Sequence, residues 1–239
     1  MSRAALVRLD HPPANAIGPA LIRRLAGALA GARAERRPVV LTGSGRFFSA
    51  GLDLKGLPRD RESMGAFADA FEDFLRDLFS YPGPTVAAVN GHAVAGGAIL
   101  AASADFRIGA EGDYRVGVSE VALGVAFPAI AFEIVRAALA APRTADVLLR
   151  GRLTGPAGAV ESGLLHELAP AADLLDRAVA LAEELGALPQ RAYRHTKGSL
   201  RAEFLDRARE RRAACRELFL DTWFSPESRA RRTARLTKA

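Results

Sequence analysis

The sequence holds a single cysteine, Cys215, among its 239 residues. One cysteine excludes an intrachain disulfide and any metal cage built from several thiolates, and such a chain suits a reducing cytoplasm. Long apolar runs are missing too. Gly, Asp, Arg or Pro interrupts each one before the ~18 residues needed to cross a bilayer, so no membrane partner is expected. The first residues move directly into "AALVRLDHPPANAI", a strand and a turn, with no charged segment leading an apolar one, and no secretory signal is expected. Lysine is scarce: Lys55, Lys197 and Lys238 are the only ones among 33 basic residues. The net charge of +6 therefore rests on arginines spread among alanines, a compositional bias. The clusters Arg209 to Arg212 and Arg229 to Arg235 lie in segments of helical spacing and read as solvated helix faces, so no nucleic-acid partner is expected. The histidines His11, His92, His166 and His195 share no metal-ligand spacing, and no metal is expected. His92 reads as a packed, hydrogen-bonded ring.

What is present is ordinary globular material, 49% hydrophobic and 25% charged, in a chain long enough to bury a full core. Residues 4–9 read as a strand, and 18–33 as a helix with Leu21, Ile22, Leu25 and Leu29 on one stripe. "PVVLTG" (38–43) and "TVAAVNG" (85–91) are short β-branched runs ended by glycine, which predicts buried strands. Between them come a glycine-punctuated loop, "SGRFFSAGLDLKGL", and a helix over 62–80. A small-residue helix over 95–104, a strand at "DFRIGA", and a second strand-to-helix step through "YRVGVSEVALGVAFPAIAFEIVRAAL" follow. Helices are predicted over 142–150, 156–161, 172–186, 189–200, 202–223 and 226–236, with a short strand at "LLHEL". Strands and helices alternate early and a helical block comes last. The fold class is α/β, with a core over 1–185 and a helical region over 186–239.

Two segments leave a buried strand and run into glycine: "VVLTGSGRFFSAGLDL" and "VAAVNGHAVAGGAILAA". Glycine at Gly51, Gly96 and Gly97 lets backbone approach a ligand closely. In the second segment the glycines open a helix, whose first amides have no internal partner and suit developing negative charge. The same glycines could also serve two tight turns and nothing more.

"FFSAGLDLK" resembles the F-x-x-G-x-D-L element of the enoyl-CoA hydratase/isomerase (crotonase) superfamily, and "NGHAVAGG" its N-G-x-A-x-G-G element. "LDHPPANAI" is similar to the L-x-R-P-x-x-N-A-L hallmark, with His11 in place of arginine. The likeness continues through "SADFRIGAEGDYRVGVSEVALGV". It implies a crotonase-like superhelix of ββα repeats, an acyl-CoA thioester substrate, no cofactor apart from the coenzyme A carried by that substrate, and a homotrimer or pair of trimers built with C-terminal helices that cover the acyl pocket. A basic surface would suit the polyanionic coenzyme. Trp223 and Phe224 are expected to pack that C-terminal region.

Carried onto this sequence, the resemblance makes the backbone amides of Leu52 and Gly96 the oxyanion hole. It puts Ala50, Asp53, Leu54, Lys55, Gly97 and Ser119 beside the substrate, with Lys55 near the coenzyme phosphates. Asp53 also reads as a cap of its own turn. Glu120 matches the catalytic glutamate shared by hydratases and isomerases. It is the only acidic residue in the apolar run from Val116 to Val125, where desolvation should raise its pKa toward that of a useful base. The departure is Ile99, which stands where family hydratases carry a second glutamate. An isoleucine cannot orient water or donate a proton, so the pattern implies a 3-enoyl-CoA to 2-enoyl-CoA isomerase with one glutamate as proton shuttle. The alternatives are a hydratase, another enolate reaction such as decarboxylation or C–C cleavage, and a coenzyme-A-binding subunit of reduced activity. Glu133, on the next helix, is the candidate for a replacement carboxylate.

Overall fold

A computed structural model of the protein describes residues 4–236. Strand β1 (Ala5–Leu9) leads into helix α1 (Pro19–Ala34). Then come β2 (Val39–Gly43), β3 (Phe47–Ser49) and α2 (Arg61–Phe79), followed by β4 (Thr85–Val89), β5 (His92–Val94) and α3 (Gly96–Ala102). A third round runs through β6 (Phe106–Ala110), β7 (Val116–Gly117), a 3-10 turn (Val121–Leu123) and α4 (Ala129–Ala138). The chain finishes with α5 (Ala141–Arg150), α6 (Pro156–Ser162), β8 (Glu167–Ala169), α7 (Leu174–Ala187), α8 (Gln190–Phe224) and α9 (Pro226–Leu236).

Three successive β-β-α rounds make a spiral. The first strand of each round joins a five-stranded parallel sheet, ordered β1-β2-β4-β6-β8, and the second joins a three-stranded sheet, β3-β5-β7. Parallel neighbours require a crossover between them, and here the small sheet and a helix supply it. Every residue of β2 and β4 is buried, as expected of parallel strands covered on both faces. Helix α7 lies against β2, β4 and β6, while α3, buried along its whole length, touches strands of both sheets. The spiral therefore brings the ends of β3 and β5 side by side, with α3 leading inward from them.

Several local expectations change. The loop after β2 contains β3, and β5 was not expected at all. Each has three residues, too few for alternation to register, and each exists because a neighbour is there to pair with, β5 for β3 and both β3 and β7 for β5. The strand expected at "LLHEL" begins only at Glu167, because Gly163 ends α6 in a left-handed turn and Leu164 and Leu165 are buried from that turn. The helices expected over 189–200 and 202–223 are one helix of 35 residues. Glycine inside a helix costs roughly 1 kcal/mol, but Gly198 is flanked by Lys197 and Arg201, and both grip Asp105 at the foot of β6. Pinned on either side of the glycine, the helix does not break.

The arginines of α8 are not merely solvated. Arg212 bonds Asp73 at 2.6 Å and Arg216 bonds Asp69 at 3.0 Å, both on α2, so charge complementarity seats the long helix on the core. Past it, Arg232 lies over Trp223, 3.7 Å from the ring centroid, and Trp223 packs on Phe219.

Candidate active site

The two glycine segments meet beyond β3 and β5. Gly51 (φ 86°) and Ala95 (φ 51°) both turn left-handed there. A Cβ at Gly51 would stand 2.8 Å from the Val94 carbonyl oxygen, and one at Gly97 would stand 2.3 Å from that of Ser49. No side chain fits at either place, so glycine is required for the loops to close on each other.

Closure leaves two amides unused. Ile17 bridges the first loop: its amide donates to the Gly51 carbonyl (2.8 Å), and its carbonyl accepts from Asp53 (3.0 Å). The intervening Leu52 amide faces the other way. Gly96 is the first residue of α3, whose first internal bond runs from Ile99 to the Ala95 carbonyl (3.1 Å), so the Gly96 amide has no helical partner. Neither amide donates to a protein acceptor among the described residues. The loops touch at this point, since a Cβ at Gly96 would lie 3.7 Å from the Gly51 Cα, with Ile17 and Phe71 also within 4 Å.

Glu120 opens the 3-10 turn and accepts backbone bonds at its carbonyl from Leu123 and Val125, both at 3.0 Å. Its side chain is buried, and Oε2 has no hydrogen-bond partner among the described residues. Desolvation pushes the carboxyl up to about 7, against the partial opposition of the Glu120 and Ser119 backbone amides. The hydroxyl of Ser119 is likewise buried without a partner. Two unsatisfied buried polar groups on adjacent residues are unusual in a folded chain and ask for a functional reason. The C-terminal helices clasp this segment: Thr222 Oγ1 accepts from the Ala126 amide (3.0 Å), and Ser228 packs beside Gly124.

Ile99, one turn into α3, is 2% exposed and packs in the apolar core. Glu133 is buried on α4, bonded through Oε2 to Arg136 (2.7 Å) with Oε1 unpartnered. It lines a separate cavity of about 210 Å³ with Phe127, Phe132 and Cys215.

The remaining residues singled out in the sequence sort by place. Asp53 caps its turn, with Oδ1 accepting from the Lys55 and Gly56 amides at 3.1 and 3.0 Å. The Ala50 amide is tied to the Ala14 carbonyl (3.0 Å). Leu54 and Lys55 line a groove of about 560 Å³ together with Arg59, Trp223, Arg229 and Arg232. The three arginines were not singled out for a site, because they come together only when α9 folds back past the first loop. His92 packs at a tilt against Phe47 (4.9 Å between centroids), and its Nδ1 accepts from the Arg115 amide (3.2 Å).

Two asparagines were also missed. Asn15 donates through Nδ2 to the carbonyls of Ser44 (3.0 Å) and Phe47 (2.7 Å), while Asn90 accepts from the Gly43 amide (2.8 Å) and donates to Gly45 (2.9 Å). Both sit in motifs quoted above, but nothing in those motifs says which loop they hold.

Comparison with known proteins adds a lineage to this geometry. The sequence model described as Enoyl-CoA hydratase/isomerase matches residues 2–235. A Thermus thermophilus protein that carries an enoyl-CoA hydratase name is 38% identical over 206 residues, 83% of this chain and 80% of that one. The apo structure of an Mtb enoyl-CoA isomerase superposes with a TM-score of 0.83 at 31% identity, covering 90% of this chain and 95% of that one. Human mitochondrial delta3-delta2-enoyl-CoA isomerase shares the fold at a TM-score of 0.93 and 24% identity, covering 99% and 93%. Among the described residues no helix is long and apolar enough to cross a membrane.

Proposed function

The chain belongs to the enoyl-CoA hydratase/isomerase family, and on that premise we propose that it converts a 3-enoyl-CoA to the conjugated 2-enoyl-CoA with Glu120 as a single proton shuttle. The thioester carbonyl would sit at the amides of Leu52 and Gly96. An α-proton beside a thioester is too weakly acidic for a carboxylate unless the enolate is stabilised, and one oxyanion donor is typically worth about 2.7–4 kcal/mol. Glu120 takes a proton from C2, giving a dienolate whose negative charge lies partly on the carbonyl oxygen. It then returns the proton at C4, and the double bond moves into conjugation. Nothing is consumed, so one carboxylate suffices.

Two observations together carry this reading, the state of Glu120 and the identity of the residue at 99. The first is a buried carboxyl held near neutrality with a free oxygen, suited to both taking and giving a proton. The second is a buried hydrocarbon where hydration would need a second carboxylate to hold water. The groove beside Lys55, with Arg59, Arg229 and Arg232, supports a polyanionic coenzyme leaving the site along that side.

A hydratase is the second reading, favoured by the hydratase names that prevail among the relatives. The deciding experiment incubates purified protein with a 3-enoyl-CoA and, separately, with crotonyl-CoA, following conjugation and its loss by absorbance. Conjugation of the first substrate without loss of the second supports the isomerase. Rapid hydration of crotonyl-CoA with no conjugation of 3-enoyl-CoA would replace it with the hydratase.

A further inference from the structure

At the end of α3 opposite Gly96, about 9 Å along that helix, lies a cleft of about 470 Å³ between the foot of β6 and the first turns of α8, lined in part by Ala102. Its charged groups do not balance. Asp105 is saturated: Oδ2 accepts from the Thr85 amide, Tyr193 Oη and Lys197 Nζ at 2.8–2.9 Å, and Oδ1 accepts from Arg201 at 2.6 Å. One carboxylate thus answers Lys197 and Arg201, and Arg107, only 4% exposed, makes no ion pair of its own among the described residues.

Arg107 is poorly served in other ways. Its Nη1 donates to the Ala104 carbonyl (3.0 Å), and its Nε has no partner. Its Nη2 faces His166 Nε2 at 3.3 Å. That contact is a conflict between donors. His166 Nδ1 accepts the Arg107 backbone amide (3.0 Å), and burial and the guanidinium hold the ring well below its usual pKa, at about 4. The neutral ring therefore carries its proton on Nε2, pointed at another N–H group. The guanidinium is buried and the ring is exposed at the cleft, so the two donors face one space, and an acceptor placed there would take from both. The rest of the cleft is apolar: Phe106, Ala137, Ala138 and Phe204 form its walls, and Leu200 stands at the mouth, 71% exposed.

We propose that this cleft binds an organic monocarboxylate, its head accepting from Arg107 Nη2 and His166 Nε2 and its hydrocarbon body lying along Phe106 and Phe204. The cleft's lining includes none of Leu52, Gly96, Ser119 and Glu120, and the proposal does not depend on which reaction the enzyme performs.

The test is calorimetric titration of the purified full-length protein, near neutral pH and at constant ionic strength, with sodium hexanoate, with sodium phosphate and with hexanol. Saturable hexanoate binding, at least about tenfold tighter than that of phosphate or hexanol, is the expected result. Arg107→Met should weaken hexanoate by at least about tenfold. Leu200→Glu puts a negative charge at the mouth on an exposed position that tolerates change. It should weaken hexanoate several-fold while leaving thioester turnover unaltered, and it decides the matter alone if Arg107→Met does not fold. Absence of saturable hexanoate binding overturns the proposal. So does equal binding of phosphate or hexanol, and so does an affinity that Leu200→Glu leaves unchanged, which would put hexanoate elsewhere.

Discussion

The side-chain amides of Asn15 and Asn90 donate to one and the same carbonyl oxygen, that of Phe47, at 2.7 and 3.3 Å. Asn15 belongs to the turn after β1 and Asn90 to the end of β4, so two neighbouring turns of the spiral hold β3 from both sides. The next residues after β3 are the ones that end at Leu52. The position of that amide therefore depends on hydrogen bonds made several residues earlier.

Asn15 itself sits at φ 51°, a conformation asparagine tolerates and alanine resists. Asn15→Ala should lower stability by about 2–4 kcal/mol, combining the orphaned carbonyls with backbone strain. It should also reduce kcat/KM by at least about tenfold if Leu52 is an oxyanion donor. Asn15→Gly keeps the backbone without the clamp, so it should be more stable than Asn15→Ala yet equally slow. Urea unfolding and steady-state kinetics on the pair check this, and equal stability of the two variants would contradict the strain argument.

Burial gives Glu120 a measurable signature. Desolvation pushes its carboxyl from an ordinary value of 4.5 up to about 7 in the fold. A raised folded value means the fold carries no penalty below 4.5 and the full penalty above 7, roughly 3 kcal/mol. Across that window the wild type should thus lose stability relative to Glu120→Gln. The advantage of the variant should grow from near zero in acid to roughly 3 kcal/mol on the alkaline side. Turnover should be lost in the variant, with thioester binding largely kept, and wild-type kcat/KM should rise as the carboxyl ionises. Denaturant unfolding at a series of pH values decides the first point; parallel curves would mean that Glu120 is solvated.

Ala95 occupies φ 51°, ψ −124°, a region that favours glycine. Ala95→Gly removes strain worth about 1–2 kcal/mol but adds unfolded-state entropy of about 0.4–1 kcal/mol, leaving a small net gain. Ala95→Val, β-branched at the same angles, should lose at least about 2 kcal/mol. Melting temperatures of the three proteins test the ordering Gly above Ala above Val.

Asp105→Asn leaves Lys197 and Arg201 buried without their acid and should cost about 3–5 kcal/mol. Adding Lys197→Met to that variant should restore part of the loss, because the two residues share one network. A second substitution whose cost simply adds would show that the pair is not coupled.

The sequence by itself was enough to determine the alternation of strands and helices, the buried β2 and β4, the glycines at Gly51 and Gly97, and Glu120 in an apolar run. Each of these is a local property: a period, a β-branched run, or a residue type that only one backbone conformation demands. The family also followed from motifs written in consecutive residues. Tertiary structure alone decided the rest. β3 and β5 exist only as members of the small sheet they form with β7. Helix α8 runs through Gly198 because Asp105, far away in the chain, anchors both sides of it. Arg59, Arg229 and Arg232 reach Lys55 only once the last helices fold back, and Arg107 meets His166 only because β6 and β8 are neighbours. Pairing, pinning and charge balance are energies between distant residues, and a linear pattern carries no record of which distant residues will meet.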